Sequence, residues 1–252
     1  MGWCADRKVP TFLRGFVYRS YARITGADVS EARGPLEIYP SLTGFFVREL
    51  IEGARPIDDD PNALVSPVDG AVQIVDAITD AGRSLQAKGR EFALDDFLAG
   101  IGDDIDWRGG HQWTLYLSPK DYHRIHAPEA CTLTEVRFVR GHLYSVQPKV
   151  MAKRAVLDVN ERAVLRLETE RGPLLLVLVG ALNVGRIRVT GVPRDHDGKL
   201  DKPRTVARGE ELARFELGST IVLIAPPGGP TPHDLSHADP VRLGRSIGSW
   251  PA

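Results

Sequence analysis

The sequence predicts an α+β protein that is mostly β, with a β-rich core built as a sandwich or a barrel and a helical segment at the N-terminus. Short apolar runs separated by turn-forming residues continue from residue 64 onward, a pattern typical of strands. The charge balance also shifts: residues 1–25 hold five cations and one acid, whereas residues 26–62 hold three arginines and eight acids. This shift separates the N-terminal segment from the rest of the chain.

Composition limits the classes of function. With 252 residues, 42% of them hydrophobic, the chain can bury most of its apolar side chains. Lys and Arg total 32 against 33 Asp and Glu, so charge gives no reason to expect a nucleic-acid partner. Cys4 and Cys131 are too far apart in sequence for a paired-cysteine metal site and do not form a disulfide framework.

No apolar run approaches the roughly 18 residues of a membrane span, and the first residues do not resemble a secretory leader. We expect a cytosolic chain that spans no membrane.

The first predicted helix is amphipathic. Arg14, Arg19 and Arg23 lie near the edges of its apolar stripe. Such a helix either packs on the protein's own core or lies in a membrane interface with its arginines at the head groups. The stripe covers one half of a helical wheel and consists of Phe12, Leu13, Phe16, Val17, Tyr21 and Ile24.

A second, short helix is predicted from Ser41, and the proline after Arg55 ends it. Its apolar residues are Phe45, Phe46 and Leu50. We divide the chain into an N-terminal helical segment, 1–52, and a β-rich domain, 53–252. The run 174–179 is apolar throughout and is expected to be a central strand. The clearest predicted strands are 71–77, 112–117, 133–139, 163–168, 174–179, 184–189 and 220–224.

Three local clusters could do chemistry: 66–70 with Asp69, 121–128 with a histidine pair, and 215–220 with Ser219. A serine hydroxyl needs a base, and the base needs an orienting carboxylate, so together they supply the groups for nucleophile activation. Each cluster alone has a plain structural alternative. The aspartate can cap its own turn, the histidines can be ordinary loop residues between two prolines, and the serine can belong to a turn before a strand.

Two common enzyme motifs are absent from the sequence. His123 and His126 are three residues apart, whereas the zinc-peptidase helix spaces its histidines by four and includes a glutamate base. Gly218-Ser219-Thr220 is not the Gly-x-Ser-x-Gly elbow of the α/β hydrolases.

Taken together, the short motifs resemble, in identity and order, the phosphatidylserine decarboxylases, pyruvoyl-dependent enzymes that mature by cutting their own backbone. The resemblance covers nearly the whole chain, and many short matches in one order are far more specific than any single motif. The matching segments are Phe45-Phe46-Val47-Arg48, Arg55-Pro56-Ile57-Asp58, Asp69-Gly70, Gln86-Ala87-Lys88-Gly89, 122–128, Leu143-Tyr144-Ser145-Val146, Asn160-Glu161-Arg162, 180–185 and Leu217-Gly218-Ser219-Thr220.

The resemblance implies a mechanism. Ser219 attacks the carbonyl of Gly218, and elimination from the resulting ester leaves a pyruvoyl group, a covalent cofactor made from Ser219, with no metal. By motif position, Asp69 orients His126, and His126 takes the proton of Ser219. The pyruvoyl ketone then forms a Schiff base with the serine amine of the lipid. His123 assists decarboxylation or reprotonates the product carbon.

The resemblance also implies partners and a location. Cleavage would give a long chain, 1–218, and a short chain, 219–252, that stay together. The substrate would be phosphatidylserine, the product phosphatidylethanolamine, and the pathway phospholipid biosynthesis. With a lipid substrate, membrane docking becomes the preferred role of the first helix, at the cytoplasmic side as a peripheral protein. A homodimer stays open as the assembly.

Three other functions remain open. A pyruvoyl decarboxylase could act on a soluble amino acid or a modified lipid. A non-catalytic β-barrel carrier or binding module could also use a Pro-x-Asp-Gly turn, although such a module has no reason to cut itself. A zinc hydrolase could use His123 and His126, and metal analysis of the purified protein would test for it.

Overall fold

The structure is a computed structural model that describes residues 5–87, 90–181, 187–216 and 219–251. The helices are α1 (Thr11–Thr25), α2 (Leu42–Phe46), α3 (Leu94–Leu98) and α4 (Pro148–Met151), with a 3₁₀ turn at Leu36–Ile38. The strands are β1 (Ala63–Val65), β2 (Gly70–Ala77), β3 (Arg83–Ala87), β4 (Arg90–Ala93), β5 (His111–Leu117), β6 (Arg124–His126), β7 (Cys131–Val139), β8 (Arg162–Thr169), β9 (Gly172–Val179), β10 (Ile187–Val189), β11 (Asp197–Val206), β12 (Glu211–Phe215), β13 (Ser219–Ala225), β14 (Thr231–Pro232), β15 (Pro240–Val241) and β16 (Ser246–Ser249).

The mostly β composition is confirmed. Over the described residues, eight strands form one antiparallel sheet in the order β11-β7-β8-β9-β13-β5-β2-β15. Three smaller sheets, β10-β12-β6, β1-β16-β14 and β3-β4, accompany it. A barrel requires its first and last strands to pair, whereas β11 and β15 are separate edges of the large sheet. The barrel alternative is therefore wrong for the part of the chain that the structure describes.

Both faces of the central strands are buried. Leu165 and Leu223 share a hydrophobic cluster with Leu212, so the β10-β12-β6 sheet packs on one face of the large sheet. Their neighbours along the strands point the other way, and Val222 shares a second cluster with Phe97 of α3. Because side chains alternate along a strand, strands covered on both faces are apolar throughout. This explains the uninterrupted run 174–179, which the structure places in β9 between β8 and β13, as predicted.

Most predicted strands agree with the structure to within two residues. The prediction 184–189 is confirmed only for β10, because residues 182–186 lie outside the described residues. The second helix begins as predicted, with the Ser41 hydroxyl accepting a hydrogen bond from the amide of Gly44. It ends at Phe46, and Leu50 instead pairs with Ala32 in a β-bridge, so the predicted extension of this helix is wrong.

The first helix is confirmed, but its predicted apolar stripe is divided between two environments. Val17 and Tyr21 of the stripe are half-buried against a small core. In that core Tyr18, which lies outside the predicted stripe, is fully buried and stacks on Phe45 with ring centroids 4.9 Å apart. By contrast, Phe12, Phe16 and Ile24 are 84%, 70% and 85% exposed. Gly26 ends the helix in the left-handed conformation, at φ 82°, which glycine adopts without strain. None of the helices described is both long and apolar enough to cross a bilayer.

Candidate active site

Two of the predicted clusters, those of Asp69 and Ser219, lie at the same end of the eight-stranded sheet. β13 begins at Ser219, which lies opposite Leu117, the last residue of β5. On the other side of β5, β2 begins at Gly70, immediately after Asp69, and Ala71 lies opposite Tyr116. The backbones at Asp69 and Ser219 are therefore separated by one intervening strand, a distance of about 10 Å between strand axes.

Backbone hydrogen bonds bring the histidine segment to the same place. The amide of His126 donates to the carbonyl of Pro67 over 2.9 Å, and the amide of Phe215 donates to the carbonyl of His123 over 3.0 Å. The expectation of a loop around the histidines is partly wrong, because 124–126 forms strand β6, paired with β12. The histidine segment thus contacts both the turn before Asp69 and the strand that precedes Ser219.

The carboxylate of Asp69 is buried and fully engaged. Its Oδ1 accepts from Arg55 Nε at 2.9 Å and from the backbone amide of Leu243 at 2.9 Å. Its Oδ2 accepts from Arg55 Nη2 at 2.6 Å and from Nε at 3.0 Å. Such a bidentate pair fixes the plane of the carboxylate. A hydrogen bond between Asp69 and His126 is not among the contacts of the described residues, and the role of Asp69 in orienting His126 stays a prediction.

The imidazole of His126 is held by two other groups. Nδ1 lies 2.9 Å from the carbonyl oxygen of Gly209, which can only accept, so Nδ1 carries the proton. Nε2 is then the acceptor for the Tyr122 hydroxyl at 3.2 Å. Burial lowers the pKa of His126, and this outweighs the hydrogen bond to Gly209 and the nearby carboxylates of Glu211 and Asp69, which raise it. The side chain is a neutral base at physiological pH, and Asp69 acts on it as a nearby charge.

His123 lies deeper in the protein. Its Nδ1 is 2.8 Å from the carbonyl oxygen of Asp121, and the ring of Phe46 packs on it with centroids 4.0 Å apart. Complete burial lowers the pKa of His123 to about 3, with a further lowering from the charge of Arg48. Its Nε2 is buried and has no hydrogen-bond partner among the described residues.

Ser219 is also completely buried. Its Oγ atom has no hydrogen-bond partner within the described residues. A buried hydroxyl without a partner costs about 1–3 kcal/mol, so such a group calls for an explanation. Leu217 and Gly218, the other residues of the predicted cleavage motif, lie outside the described residues.

A cleft of about 300 Å³ opens beside the histidine segment. It is lined by Glu49, Leu50, Ile51, Gly53, Arg55, Ile57, Tyr122, Arg124, His126, Gly209, Glu211 and Leu243. The cleft gives a small molecule access to the Tyr122–His126 pair, and its walls come from both the N-terminal segment and the β-rich domain.

Sequence reasoning missed two contacts of this site. Arg55 belonged to a recognised motif, but its pairing with Asp69, fourteen residues away, has no local sequence signal. Phe46 also belongs to a recognised motif, but its packing on His123 has no local sequence signal. Both contacts depend on how the N-terminal segment docks on the sheet, which periodicity does not encode.

Residues of two other recognised motifs stabilise the fold through hydrogen bonds to the backbone. Gln86 accepts hydrogen bonds from the amides of Val156 and Leu157 and donates to the carbonyl of Met151. Asn160 bonds the backbone of Tyr144 on both its donor and acceptor sides. The remaining residues of these motifs, Lys88-Gly89 and 182–185, lie outside the described residues. Among the side chains described, no three His, Cys, Asp or Glu residues form a group that could hold a metal ion.

Comparison with known proteins extends the resemblance over the whole fold. A family described as phosphatidylserine decarboxylase matches residues 42–249. A phosphatidylserine decarboxylase proenzyme of Nitrosococcus oceani is 41% identical, covering 94% of this chain and 82% of its own. Proenzymes of the same name from Marinobacter nauticus and Myxococcus xanthus are each 39% identical, covering 98% of this chain and 91% of theirs.

These matches define a decarboxylase, an enzyme of the carboxy-lyase class. The chain belongs to the phosphatidylserine decarboxylase family.

Proposed function

We propose that this chain is a self-cleaving proenzyme that decarboxylates phosphatidylserine to phosphatidylethanolamine. The observation that carries the proposal is the hydroxyl of Ser219, buried and without a partner among the described residues at the start of a central strand, next to a histidine segment. Buried side-chain hydroxyls usually have a hydrogen-bond partner. A nucleophile directed at its own preceding carbonyl would not need one. The proenzyme names of the relatives support the same conclusion.

Self-cleavage would proceed between Gly218 and Ser219. The Ser219 oxygen attacks the Gly218 carbonyl carbon, and the peptide C–N bond breaks to give an ester and a free amine at residue 219. Loss of the Cα proton of residue 219 then breaks the ester C–O bond, which releases the Gly218 carboxylate and leaves dehydroalanine. Water replaces the nitrogen, ammonia leaves, and a pyruvoyl group begins the short chain.

The buried groups take complementary roles in this proposal. His126, neutral and with its proton on Nδ1, accepts a proton at Nε2 once the Tyr122 hydroxyl moves aside. Asp69 stabilises the resulting imidazolium as a nearby negative charge. The pyruvoyl carbonyl supplies the electron-withdrawing group that condenses with the substrate amine and that side chains lack. His123, whose Nε2 is buried without a described partner, returns a proton to the product carbon in this proposal.

The two-part division of the chain fits this chemistry. The β-rich domain, 53–252, holds the cleavage site, and the segment 1–52 carries the exposed face of α1. Phe12 and Phe16 on that face would enter the head-group region, with Arg19 and Arg23 at the anionic surface. The enzyme would thus work as a peripheral protein at the cytoplasmic side of the membrane.

The experiment is a time course of intact mass under denaturing conditions after cell-free synthesis. We expect the 252-residue chain to give fragments 1–218 and 219–252, the smaller with a pyruvoyl end. Ser219→Ala should stay whole, whereas Ser249→Ala, a matched serine in the short chain, should cut normally. An unsubstituted chain that remains whole after prolonged incubation would refute the proposal.

The same proteins also test which substrate the enzyme uses and which step each histidine serves. The cleaved enzyme should release carbon dioxide from phosphatidylserine and not from free serine. His126→Ala should block cleavage, while His123→Ala should cleave and fail to decarboxylate. Release from free serine at a comparable rate would point to the soluble-substrate alternative.

A further inference from the structure

We propose that Arg55, held by Glu31, is a positioning residue for self-cleavage that fixes the Asp69 carboxylate beside the histidine segment. The inference rests on the proposed function, because it assigns a residue to the cleavage step. The observation behind it is a cluster of four charged side chains from three separate parts of the chain: Arg55 and Asp69 are nearly buried, Glu31 is partly buried and Arg242 is exposed. No local motif identifies it.

The guanidinium of Arg55 holds the Asp69 carboxylate in one orientation. Its Nε and Nη2 atoms hold both oxygens of Asp69, its Nη2 also bonds Glu31 Oε2 at 2.7 Å, and its Nη1 bonds the carbonyl of Ala54 at 2.8 Å. The side chains of Arg55 and Asp69 are only 10% and 13% exposed. A planar guanidinium with every nitrogen engaged leaves the carboxylate no freedom to rotate.

A second carboxylate, that of Glu31 in the N-terminal segment, also belongs to the cluster. Glu31 is 23% exposed and binds Arg55 through Oε2 and Arg242 through Oε1, the latter at 2.5 Å. Burial alone would lower the pKa of Arg55, but the hydrogen bonds to Asp69 and Glu31 outweigh it and raise that pKa overall. The guanidinium is therefore permanently charged opposite Asp69.

The cluster also reaches the segment that would become the short chain. Arg242 contacts Glu31, and the amide of Leu243 donates to Asp69. Asp69 is thus fixed directly by Arg55 and by the segment after the cleavage site, and through Arg55 by the N-terminal segment. Since the charge of Asp69 acts on His126, any displacement of the carboxylate changes the stabilisation of the base.

A purely structural ion pair would have different consequences. Removing one member of a buried pair leaves an uncompensated charge and destabilises the fold, which would slow cleavage only through loss of folded protein. A positioning residue would slow cleavage in protein that is still folded, and a diffusible cation of the same shape would restore the rate. The cleft beside the cluster is lined by Arg55, so a small cation can reach the vacated space.

The test measures cleavage half-time by intact mass for Arg55→Ala, Arg55→Lys and Glu31→Gln, with melting followed by circular dichroism. We expect about 100-fold slower cleavage for Arg55→Ala, the size of effect that misplacement of a reacting group produces. Arg55→Lys keeps the positive charge but loses the planar guanidinium that binds both oxygens of Asp69. Its cleavage half-time should lie between those of Arg55→Ala and the unsubstituted protein. Added methylguanidinium at millimolar concentration should accelerate Arg55→Ala and leave the unsubstituted protein unchanged.

Matched controls make the outcome decisive. Arg108→Ala removes an arginine from an exposed pair with Asp106, and Glu91→Gln removes the acid of the exposed pair with Arg83; neither should change the half-time. Folded Arg55→Ala that cuts at the normal rate would overturn the inference, as would slow cutting that methylguanidinium does not restore. If Arg55→Ala does not fold, normal cutting by both Arg55→Lys and Glu31→Gln would overturn it. Failure of the unsubstituted chain to cut would instead count against the proposed function.

Discussion

At the scale of single residues, burial sets the protonation of both histidines. His123 makes one described hydrogen bond through its ring and is otherwise enclosed, so its charged form would lose hydration without gaining a partner. His126 reaches the cleft and is less deeply buried, and burial lowers its pKa as well. Both imidazoles are therefore neutral at physiological pH, the state in which each can accept a proton.

The buried state of His123 predicts a loss of stability in acid. Its folded-state pKa is about 3, against 6.5 for an unperturbed histidine, so below pH 6.5 the unfolded chain binds the proton more readily. The stability present above pH 6.5 is lost progressively as the pH falls from 6.5 toward 3, and the loss is about 2 kcal/mol at pH 5. Urea unfolding of uncut Ser219→Ala protein at pH 7 and pH 5 measures this loss of unfolding free energy.

A matched pair of variants isolates this histidine. In the Ser219→Ala background, His123→Asn should reduce the difference in unfolding free energy between pH 7 and pH 5. His142→Asn, at an exposed position, should leave that difference unchanged. An equal difference in both variants would show that another group is responsible.

At the scale of elements, α1 has two faces of different character. Gly15, Tyr18 and Ala22 are buried, and Tyr18 packs in a small core with Leu36 and Tyr39. The opposite face presents Phe12 and Phe16 to solvent. Exposed phenylalanines contribute nothing to this core, so the face is available for a lipid surface.

Vesicle binding tests that face directly. Phe12→Ser combined with Phe16→Ser should abolish sedimentation with vesicles containing phosphatidylserine, because the apolar area that enters the interface is removed. The pair Phe12→Leu and Phe16→Leu, which keeps the area apolar, should sediment as the unsubstituted protein does. Equal sedimentation of the serine and leucine variants would exclude this helix as the docking element.

At the scale of the whole molecule, the cut would fall beside the strand that holds the sheet together. β13 lies between β9 and β5, and all seven of its residues are buried. Four of them, residues 221–224, are large aliphatic side chains whose burial contributes about 1.5–3 kcal/mol each. β16, also in the short chain, pairs with β1 of the long chain.

The two fragments should consequently stay together after cleavage. We expect them to co-elute in size-exclusion chromatography under native conditions and to separate only in denaturant. Leu223→Ala should weaken the association by about 2–5 kcal/mol, the cost of a cavity in a packed core, and lower the urea concentration at which the fragments separate. Thr231→Ala, at an exposed position in the same fragment, should have little effect. Separation of the unsubstituted fragments in native buffer would contradict this account of the sheet.

Local patterns determined much of this protein from the sequence alone. Alternation and apolar runs located most of the strands, the amphipathic period located α1, and the order of short motifs identified the family that the comparisons confirm. These features are encoded by residues close together in the chain. They depend on backbone geometry and side-chain periodicity, which a sequence displays directly.

Only the tertiary structure decided how the segments meet. It left the sheet open at β11 and β15 instead of closing a barrel, ended α2 at Phe46, and bound Asp69 to Arg55 and Leu243. Each of these depends on contacts between residues distant in sequence. Their energies come from burial and from hydrogen-bond geometry that exists only once the chain has folded, so no local pattern records them.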